Sequence, residues 1–168
     1  MAEPLARIAR VTDLGMIALR GDHDRLARAA GLPAPAPLSI AARDGRILAW
    51  MSPDEALLML PRADLPQTLA ELERELAGEH ALVMDMSDAR AVFEVTGPGA
   101  ADVLSKLAPV DAAALPDGHL RRTRLAQTAA GIWRVAGGFR VMGFASTADY
   151  LGRILKGAAI PGSGLAPR

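Results

Sequence analysis

The sequence predicts an α+β fold in which a mostly antiparallel sheet is flanked by helices. Short β-prone segments are separated by turn signals such as Asp44-Gly45, and other segments carry apolar residues at helical spacing. Helices interspersed between hairpins are typical of α+β domains. Because 168 residues with 51% hydrophobic content suffice for one core, we expect residues 1–157 to form a single domain and residues 158–168 to be a disordered tail.

Turn and cap residues define the elements of the N-terminal half. Asp22 is a natural N-cap for a short helix, which Gly31 ends. Prolines at positions 33, 35 and 37 make an extended connector, because proline cannot donate to a sheet ladder. Asp44-Gly45 predicts a two-residue hairpin, since a type I′ turn requires positive φ at both central positions. The predicted strands of this half are 14–20, 38–42, 46–51 and 56–60.

The segment after Pro61 has the strongest helix pattern of the chain. Asp64 and Gln67 have the spacing of a capping box, and Pro66 suits a first helical turn. The pattern ends before Gly78. Its single apolar stripe consists of Leu65, Leu69, Leu72 and Leu76.

A glycine-proline corner separates a strand from a helix in the C-terminal half. Residues 92–96 alternate as in a half-buried strand, Gly97-Pro98-Gly99 breaks the alternation, and apolar residues resume at helical spacing over 101–107. Gly137-Gly138 predicts a further hairpin, and Ser146 is the predicted cap of a last helix. The predicted strands of this half are 82–86, 91–96, 123–127, 132–135 and 139–144.

Composition argues against several classes of function. Nineteen basic and nineteen acidic residues give a net charge of zero, which supplies no field to attract nucleic acid or an anionic membrane. Without cysteine there is no disulfide, thiolate nucleophile or cysteine-bound zinc. The N-terminal residues carry four charges rather than a secretory signal, and no segment approaches the roughly 20 apolar residues of a membrane helix. We expect a cytoplasmic protein.

Residue types that commonly carry chemistry are scattered. His23, His80 and His119 lie far apart, and none has a second histidine at a helical ligand offset. The serines include no G-x-S-x-G elbow of a hydrolase. We therefore predict no catalytic, cofactor-binding or metal-binding residue in this chain.

Two segments allow either a functional or an architectural interpretation. Gly97-Pro98-Gly99 follows a strand and opens a helix, where backbone N–H groups can bind phosphate. A dinucleotide fingerprint requires a third glycine where this chain has Asp102, so a plain strand-to-helix corner is favoured. Segment 85–90 holds carboxylates that suit acid–base chemistry or a turn stabilised by its own side chains. We favour the turn, with Asp88 close enough to Arg90 for a local ion pair.

A basic run is a third segment that allows two interpretations. It consists of Arg121, Arg122 and Arg124, and on a strand Arg122 and Arg124 share a face. That face suits a folate polyglutamate or an acidic patch of a partner. A plain solvated strand is the other interpretation.

Several motifs, in their order and spacing, resemble the gamma subunit of heterotetrameric sarcosine oxidase. The resemblance spans nearly the whole chain, from residue 19 to residue 155. That family is similar in turn to the folate-binding fold of the glycine-cleavage aminomethyltransferases, in which D-x-S precedes a strand and G-P-x-A opens a helix. The motifs are WMSPDE at 50–55, DMSDARAV at 85–92, GPGAADVLSKL at 97–107, RTRLAQ at 122–127 and S-x-x-D-Y-L at 146–151.

The resemblance implies a division of labour among subunits. In such complexes the beta subunit oxidises sarcosine at a covalently held FMN, and the alpha subunit carries FAD, NAD and a tetrahydrofolate site. A small delta subunit holds zinc. The gamma subunit is the partner without redox chemistry, so the resemblance implies a non-catalytic subunit that supports assembly, with the alpha, beta and delta subunits as its partners.

The rival interpretation is a stand-alone folate-binding or one-carbon transfer domain. A complete aminomethyltransferase needs roughly twice this length, and the related iron–sulfur assembly factors carry a cysteine motif that this chain lacks. Asp111 falls near a functional aspartate of the aminomethyltransferases, but the asparagine that precedes it there is missing. No catalytic role is therefore assigned to Asp111.

Overall fold

The computed structural model describes residues 3–165, which divide into two compact units. One unit, here called the inserted unit, consists of residues 13–88. The other, here called the outer unit, combines the chain up to residue 12 with the chain from residue 89 onwards. In sequence, the inserted unit therefore lies between two segments of the outer unit.

The elements follow one another as short strands and helices. The strands are β1 (Arg7–Val11), β2 (Gly15–Arg20), β3 (Ile40–Arg43), β4 (Arg46–Ser52), β5 (Glu55–Leu60), β6 (Leu82–Asp85), β7 (Arg90–Thr96), β8 (Arg121–Leu125), β9 (Thr128–Val135) and β10 (Gly138–Phe144). The helices are α1 (His23–Ala29), α2 (Leu65–Glu75), α3 (Ala100–Leu107) and α4 (Ala148–Ala158). Two 3-10 turns, Arg62–Asp64 and Ala145–Thr147, lead into α2 and α4.

The inserted unit is an antiparallel sheet in the order β3-β4-β5-β2-β6 with α1 and α2 packed on one face. Alternation of side chains along a strand puts every second residue on that face. The opposite face is apolar and buried as well, which explains why β5 is a continuous apolar run rather than an alternating one. The core against the helices includes Ile17, Leu19, Leu26, Leu48, Leu58, Leu60 and Leu72, and the opposite face includes Met16, Ala49, Met51, Leu57 and Met59.

Local turn predictions in the inserted unit are confirmed. The Asp22 carboxylate accepts a hydrogen bond of 3.1 Å from the Arg25 N–H at the start of α1. Asp44 and Gly45 both have positive φ, 50° and 77°, as a type I′ hairpin requires. These signals succeed because each concerns only neighbouring residues.

The predicted capping box of α2 is wrong. Asp64 belongs to the 3-10 turn and has helical φ and ψ, whereas an N-cap residue needs extended backbone to aim its side chain at the helix. Its side chain makes no cap hydrogen bond, and the Gln67 amide donates instead to Glu71 over 2.8 Å. The apolar stripe is correct: Leu65, Leu72 and Leu76 are buried.

The outer unit is a second antiparallel sheet, in the order β1-β7-β10-β9-β8, with α3 and α4 on one face. Its edge strand β1 pairs with β7 from Arg7 opposite Thr96 to Val11 opposite Val92. This pairing joins the two segments of the unit. The core includes Phe93, Val95, Val103, Leu104, Ile132, Phe139, Val141, Leu151 and Leu155. The α+β class and the antiparallel pairing are as predicted, although the strands form two sheets.

Several boundaries of the outer unit differ from prediction, among them the start of β9, which lies at Thr128 rather than at residue 132. Strand β8 begins at Arg121 and turns at Ala126, whose φ of 48° is unusual for alanine and gives no turn signal in the sequence. The β9–β10 turn consists of Ala136-Gly137, so Gly138 is already in β10. Ser146 lies in a 3-10 turn rather than at the cap of α4. Strand β1, with two arginines in five residues, was not predicted at all.

A lysine of α3 donates hydrogen bonds to the end of α4 and to the residues after it. The Lys106 ammonium donates to the Ala158 carbonyl over 2.7 Å and to the Ser163 hydroxyl over 2.8 Å.

Residues 166–168 of the predicted disordered tail lie outside the described residues. The tail at 158–168 and the single domain at 1–157 stay predictions. No helix within residues 3–165 is long and apolar enough to cross a bilayer.

Candidate functional site

The carboxylates of segment 85–90 serve a turn. The Asp85 carboxylate accepts hydrogen bonds from the Ser87 hydroxyl, at 2.6 Å, and from the Ser87 N–H, at 2.9 Å. These bonds stabilise the ionised form and lower the pKa of Asp85. The Ser87 oxygen in turn accepts from the buried Met16 N–H at 3.0 Å. Asp88 makes its ion pair with Arg62, at 3.0 Å. An acid whose pKa is lowered is a poor proton shuttle at neutral pH, so this cluster is architectural.

We expect Ser87→Ala to destabilise the chain by about 1–2 kcal/mol at pH 7, because the carboxylate and the Met16 N–H each lose a partner. The pKa of Asp85 is lower in the folded chain, so its contribution is complete above the ordinary value of 3.8 and is lost as pH falls through the folded value. We therefore expect the loss of unfolding free energy in Ser87→Ala, measured by urea unfolding, to be smaller at pH 3 than at pH 7. Ser146→Ala, at an exposed serine, is the control. A deficit that does not change with pH would contradict the assignment.

The glycine-proline corner uses its backbone N–H groups internally. Gly97, at a φ of 118°, donates to the Gly137 carbonyl over 3.0 Å, and Gly99 donates to the Leu5 carbonyl over 2.9 Å. A Cβ on Gly99 would lie only 2.7 Å from the Leu5 oxygen. These N–H groups are not available to a phosphate, and the glycines permit the close approach of two chain segments. The strand-to-helix interpretation is the one that the geometry supports.

The remaining predicted candidates do not converge. The exposed Arg122 and Arg124 lie on one face of β8 and Arg121 on the other. The Asp111 carboxylate accepts from the Ala114 N–H at 3.2 Å, as in a local turn. His23 Nε2 lies 2.8 Å from the Ser52 carbonyl oxygen. Within residues 3–165, no three histidine, aspartate or glutamate side chains come together as metal ligands would.

A cleft of about 720 Å³ lies in the inserted unit beside the start of α1. Both arginines that line it, Arg20 and Arg25, are neutralised by carboxylates. The Arg20 guanidinium lies 3.1 Å from Glu55 and 3.5 Å from Asp54, and Arg25 pairs with Glu79. The cleft is therefore poorly suited to binding an anion through these two side chains.

A groove of about 590 Å³ lies in the outer unit between the start of β1 and the end of α4. Ile8, Ala159 and Ile160 contribute apolar surface, and Ile160 is 57% exposed. Arg7 and Lys156 line the same groove. Its chemistry suits an apolar protein segment that carries a carboxylate better than it suits a reaction. Sequence reasoning missed the groove because β1 carries no clear strand pattern.

Large apolar side chains are exposed at several further places. Leu82 and Met84 share one face of the edge strand β6. Single exposed apolar residues are ordinary on a protein surface, whereas grouped ones mark contact sites. Within residues 3–165 the exposed large apolar residues are Leu38, Leu82, Met84, Phe144, Ile160 and Leu165.

Comparison with known proteins gives a family match and several similar proteins. The model of the sarcosine oxidase, gamma subunit family matches residues 22–160. The sarcosine oxidase subunit gamma of Corynebacterium sp. (strain U-96) is 38% identical over 114 residues, which are 66% of this chain and 55% of that relative. The subunit of the same name from Arthrobacter sp. is 35% identical over 111 residues, which are 64% and 54% of the two chains. The match thus spans about half the length of these curated relatives.

Two solved structures share the fold. A chain of the heterotetrameric sarcosine oxidase from Corynebacterium sp. U-96, in complex with pyrrole 2-carboxylate, matches with a TM-score of 0.86 and 28% identity, over 97% of this chain and 88% of that one. Glycine cleavage system aminomethyltransferase T from Bartonella henselae matches in fold, with a TM-score of 0.71 and 19% identity, over 92% of this chain and 45% of that one. Both resemblances predicted from the motifs are confirmed. The chain belongs to the sarcosine oxidase gamma subunit family.

Proposed function

We propose that this chain is the gamma subunit of a heterotetrameric sarcosine oxidase and contributes no catalytic residue. The observation that carries the proposal is the structural likeness to a chain of such an oxidase over nearly the whole length of this one. The family match supports it. The architectural use of Asp85 and of the glycine corner supports it as well, because the polar groups that suggested chemistry have partners within the chain.

In this proposal the oxidation of sarcosine to glycine takes place in other subunits. FAD, FMN, NAD, tetrahydrofolate and zinc bind to the alpha, beta and delta subunits, and this chain contacts protein rather than cofactor. Its exposed apolar side chains supply contact surface for those subunits. The complex works in the cytoplasm.

Co-expression tests the proposal. The tagged chain is produced with the flavoprotein subunits encoded in the same source, and the eluate is assayed for flavin colour and sarcosine-dependent peroxide. We expect a yellow complex whose yield or activity falls when this chain is omitted. Recovery of the chain alone, with an intact oxidase formed in its absence, would contradict the proposal.

A second candidate is a stand-alone folate-binding or one-carbon transfer domain. The fold that the chain shares with aminomethyltransferase T favours this candidate, and Arg122 and Arg124 share a face of β8 that suits a polyglutamate tail. Calorimetric titration of the isolated chain with tetrahydrofolate tests it. Heat of binding that disappears in an Arg122→Ala, Arg124→Ala double variant would support it, and no heat would remove it.

A further inference from the structure

The groove between the start of β1 and the end of α4 is a preformed part of the outer unit. The Leu5 N–H donates to the Ala159 carbonyl over 3.0 Å, so the segment that leads into β1 is bonded to the end of the helix. Ala6 and Ala159 line the groove with small, buried side chains, and Ile160 adds a large, exposed one. Preformed apolar concavities of this kind are typical of binding sites.

The groove has two cationic side chains and no acidic one. Arg7 and Lys156 line it, and within residues 3–165 neither side chain has an ion pair or a hydrogen bond. The cleft beside α1 differs, because its arginines, Arg20 and Arg25, are paired with carboxylates. Positive charge beside an apolar surface selects an occupant that is acidic as well as apolar.

Strand β1 also offers its backbone to an occupant. It is an edge strand of its sheet, so its pairing with β7 uses only one of its two edges. Within residues 3–165, no backbone hydrogen bond outside the β7 ladder involves Arg7–Val11. An edge strand presents unpaired N–H and C=O groups to which an extended segment adds as a further strand. A fatty acid or a small anion supplies no such backbone, so the site suits a protein segment.

Charge disfavours a second copy of this chain as that segment. Strand β1 carries Arg7 and Arg10. Antiparallel pairing of β1 with its equivalent in a second copy brings these guanidinium groups together, with Arg7 of each copy opposite Arg10 of the other in one register. Like charges on paired strands are destabilising. An acidic segment from a different chain makes the same cations favourable.

We propose that the groove and the open edge of β1 bind one extended segment of a neighbouring oxidase subunit, an inference that rests on the proposed function above. The segment places an apolar side chain against Ile8 and Ile160 and an aspartate or glutamate beside Arg7 and Lys156. Backbone pairing supplies affinity, and the apolar groove and the two cations supply specificity.

Carbodiimide cross-linking of the purified complex tests this contact. The reagent joins a lysine ammonium to a carboxylate in direct contact with it, and this sequence has two lysines, Lys106 and Lys156. We expect mass spectrometry to find Lys156 joined to an aspartate or glutamate in one segment of another subunit. Lys106 is the internal control, because its ammonium is already bonded to the Ala158 carbonyl and the Ser163 hydroxyl. It should not be joined to another subunit.

Charge reversal provides a second test in the same complex. In competitive co-expression with the wild-type chain, the share of Lys156→Glu in the purified complex should fall about tenfold, as measured by mass spectrometry. Arg153→Glu makes the same charge change at an exposed position of α4 outside the groove and should compete as well as wild type. Changing the cross-linked carboxylate of the partner to lysine should restore the share of Lys156→Glu.

The outcomes distinguish this inference from the proposed function. If the wild-type chain enters the complex and Lys156 is joined to no other subunit, or Lys156→Glu competes as well as wild type, the docking site is wrong while the subunit role stands. If the wild-type chain enters no complex, both fail. A cross-link from Lys156 to an isotopically labelled second copy of this chain would assign the groove to self-association and overturn the inference.

Discussion

Replacing Gly138 by alanine is expected to destabilise the chain by about 2–4 kcal/mol, an overpacking effect at the upper end of the usual range. A Cβ at this position would lie 2.1 Å from the Val95 oxygen and 2.9 Å from the Thr96 Cα. Both atoms belong to the backbone of β7, which pairs with β10 in the centre of the sheet. Because backbone atoms cannot rotate away as a side chain can, the two strands must separate. Urea unfolding at pH 7 measures the loss.

Gly137→Ala is the matched control for that prediction. Gly137 has a φ of 76°, but a Cβ there would meet nothing within 4 Å. Only backbone strain remains, and we expect the free energy of unfolding to fall by about 1 kcal/mol. Equal losses at positions 137 and 138 would contradict the steric account of the β7–β10 pair.

Arg134→Ala is expected to cost about 2–3 kcal/mol and to loosen the segment between α3 and β8. The guanidinium donates to the carbonyls of Leu115, Ala112 and Ala113. It also lies over the Phe139 ring, 4.9 Å from its centroid. The segment has no strand or helix of its own, so these charge-assisted bonds satisfy carbonyls that no ladder satisfies. Amide hydrogen exchange over residues 109–119 should quicken in the variant.

Two further variants, Arg134→Lys and Arg153→Ala, serve as comparisons for Arg134→Ala. Arg134→Lys keeps the charge but loses the planar fork, so we expect it to recover less than half of the stability. Arg153→Ala, at an exposed position of α4, should change the free energy of unfolding by no more than about 0.5 kcal/mol. If exchange in the segment is the same in Arg134→Ala as in wild type, the proposed anchoring role is wrong.

Sequence reasoning succeeded where structure depends on neighbouring residues. Asp22 and Asp44-Gly45 carry their own turn chemistry, and the leucine stripe of α2 carries its own periodicity. Sequence reasoning failed where the residue that a side chain or strand pairs with lies far away in the chain. Asp88 pairs with Arg62, 26 residues away, and the division into two sheets depends on pairing such as that of β1 with β7.

The exposed apolar surfaces were harder to predict than the fold. Motif order indicated the family, because several weak signals at fixed spacing add up. The exposure of Leu82 and Met84 depends on β6 being the edge strand of its sheet, which the sequence does not show. The groove beside Ile160 likewise depends on the ends of two elements that are far apart in the chain.

The most direct test of the subunit role is native mass spectrometry of the oxidase purified through a tag on another subunit. We predict a complex whose mass includes the 17.6 kDa of this sequence. In cells that lack this chain, we predict a loss of intact complex or of sarcosine-dependent peroxide formation. A fully active complex whose mass excludes this chain would contradict the account.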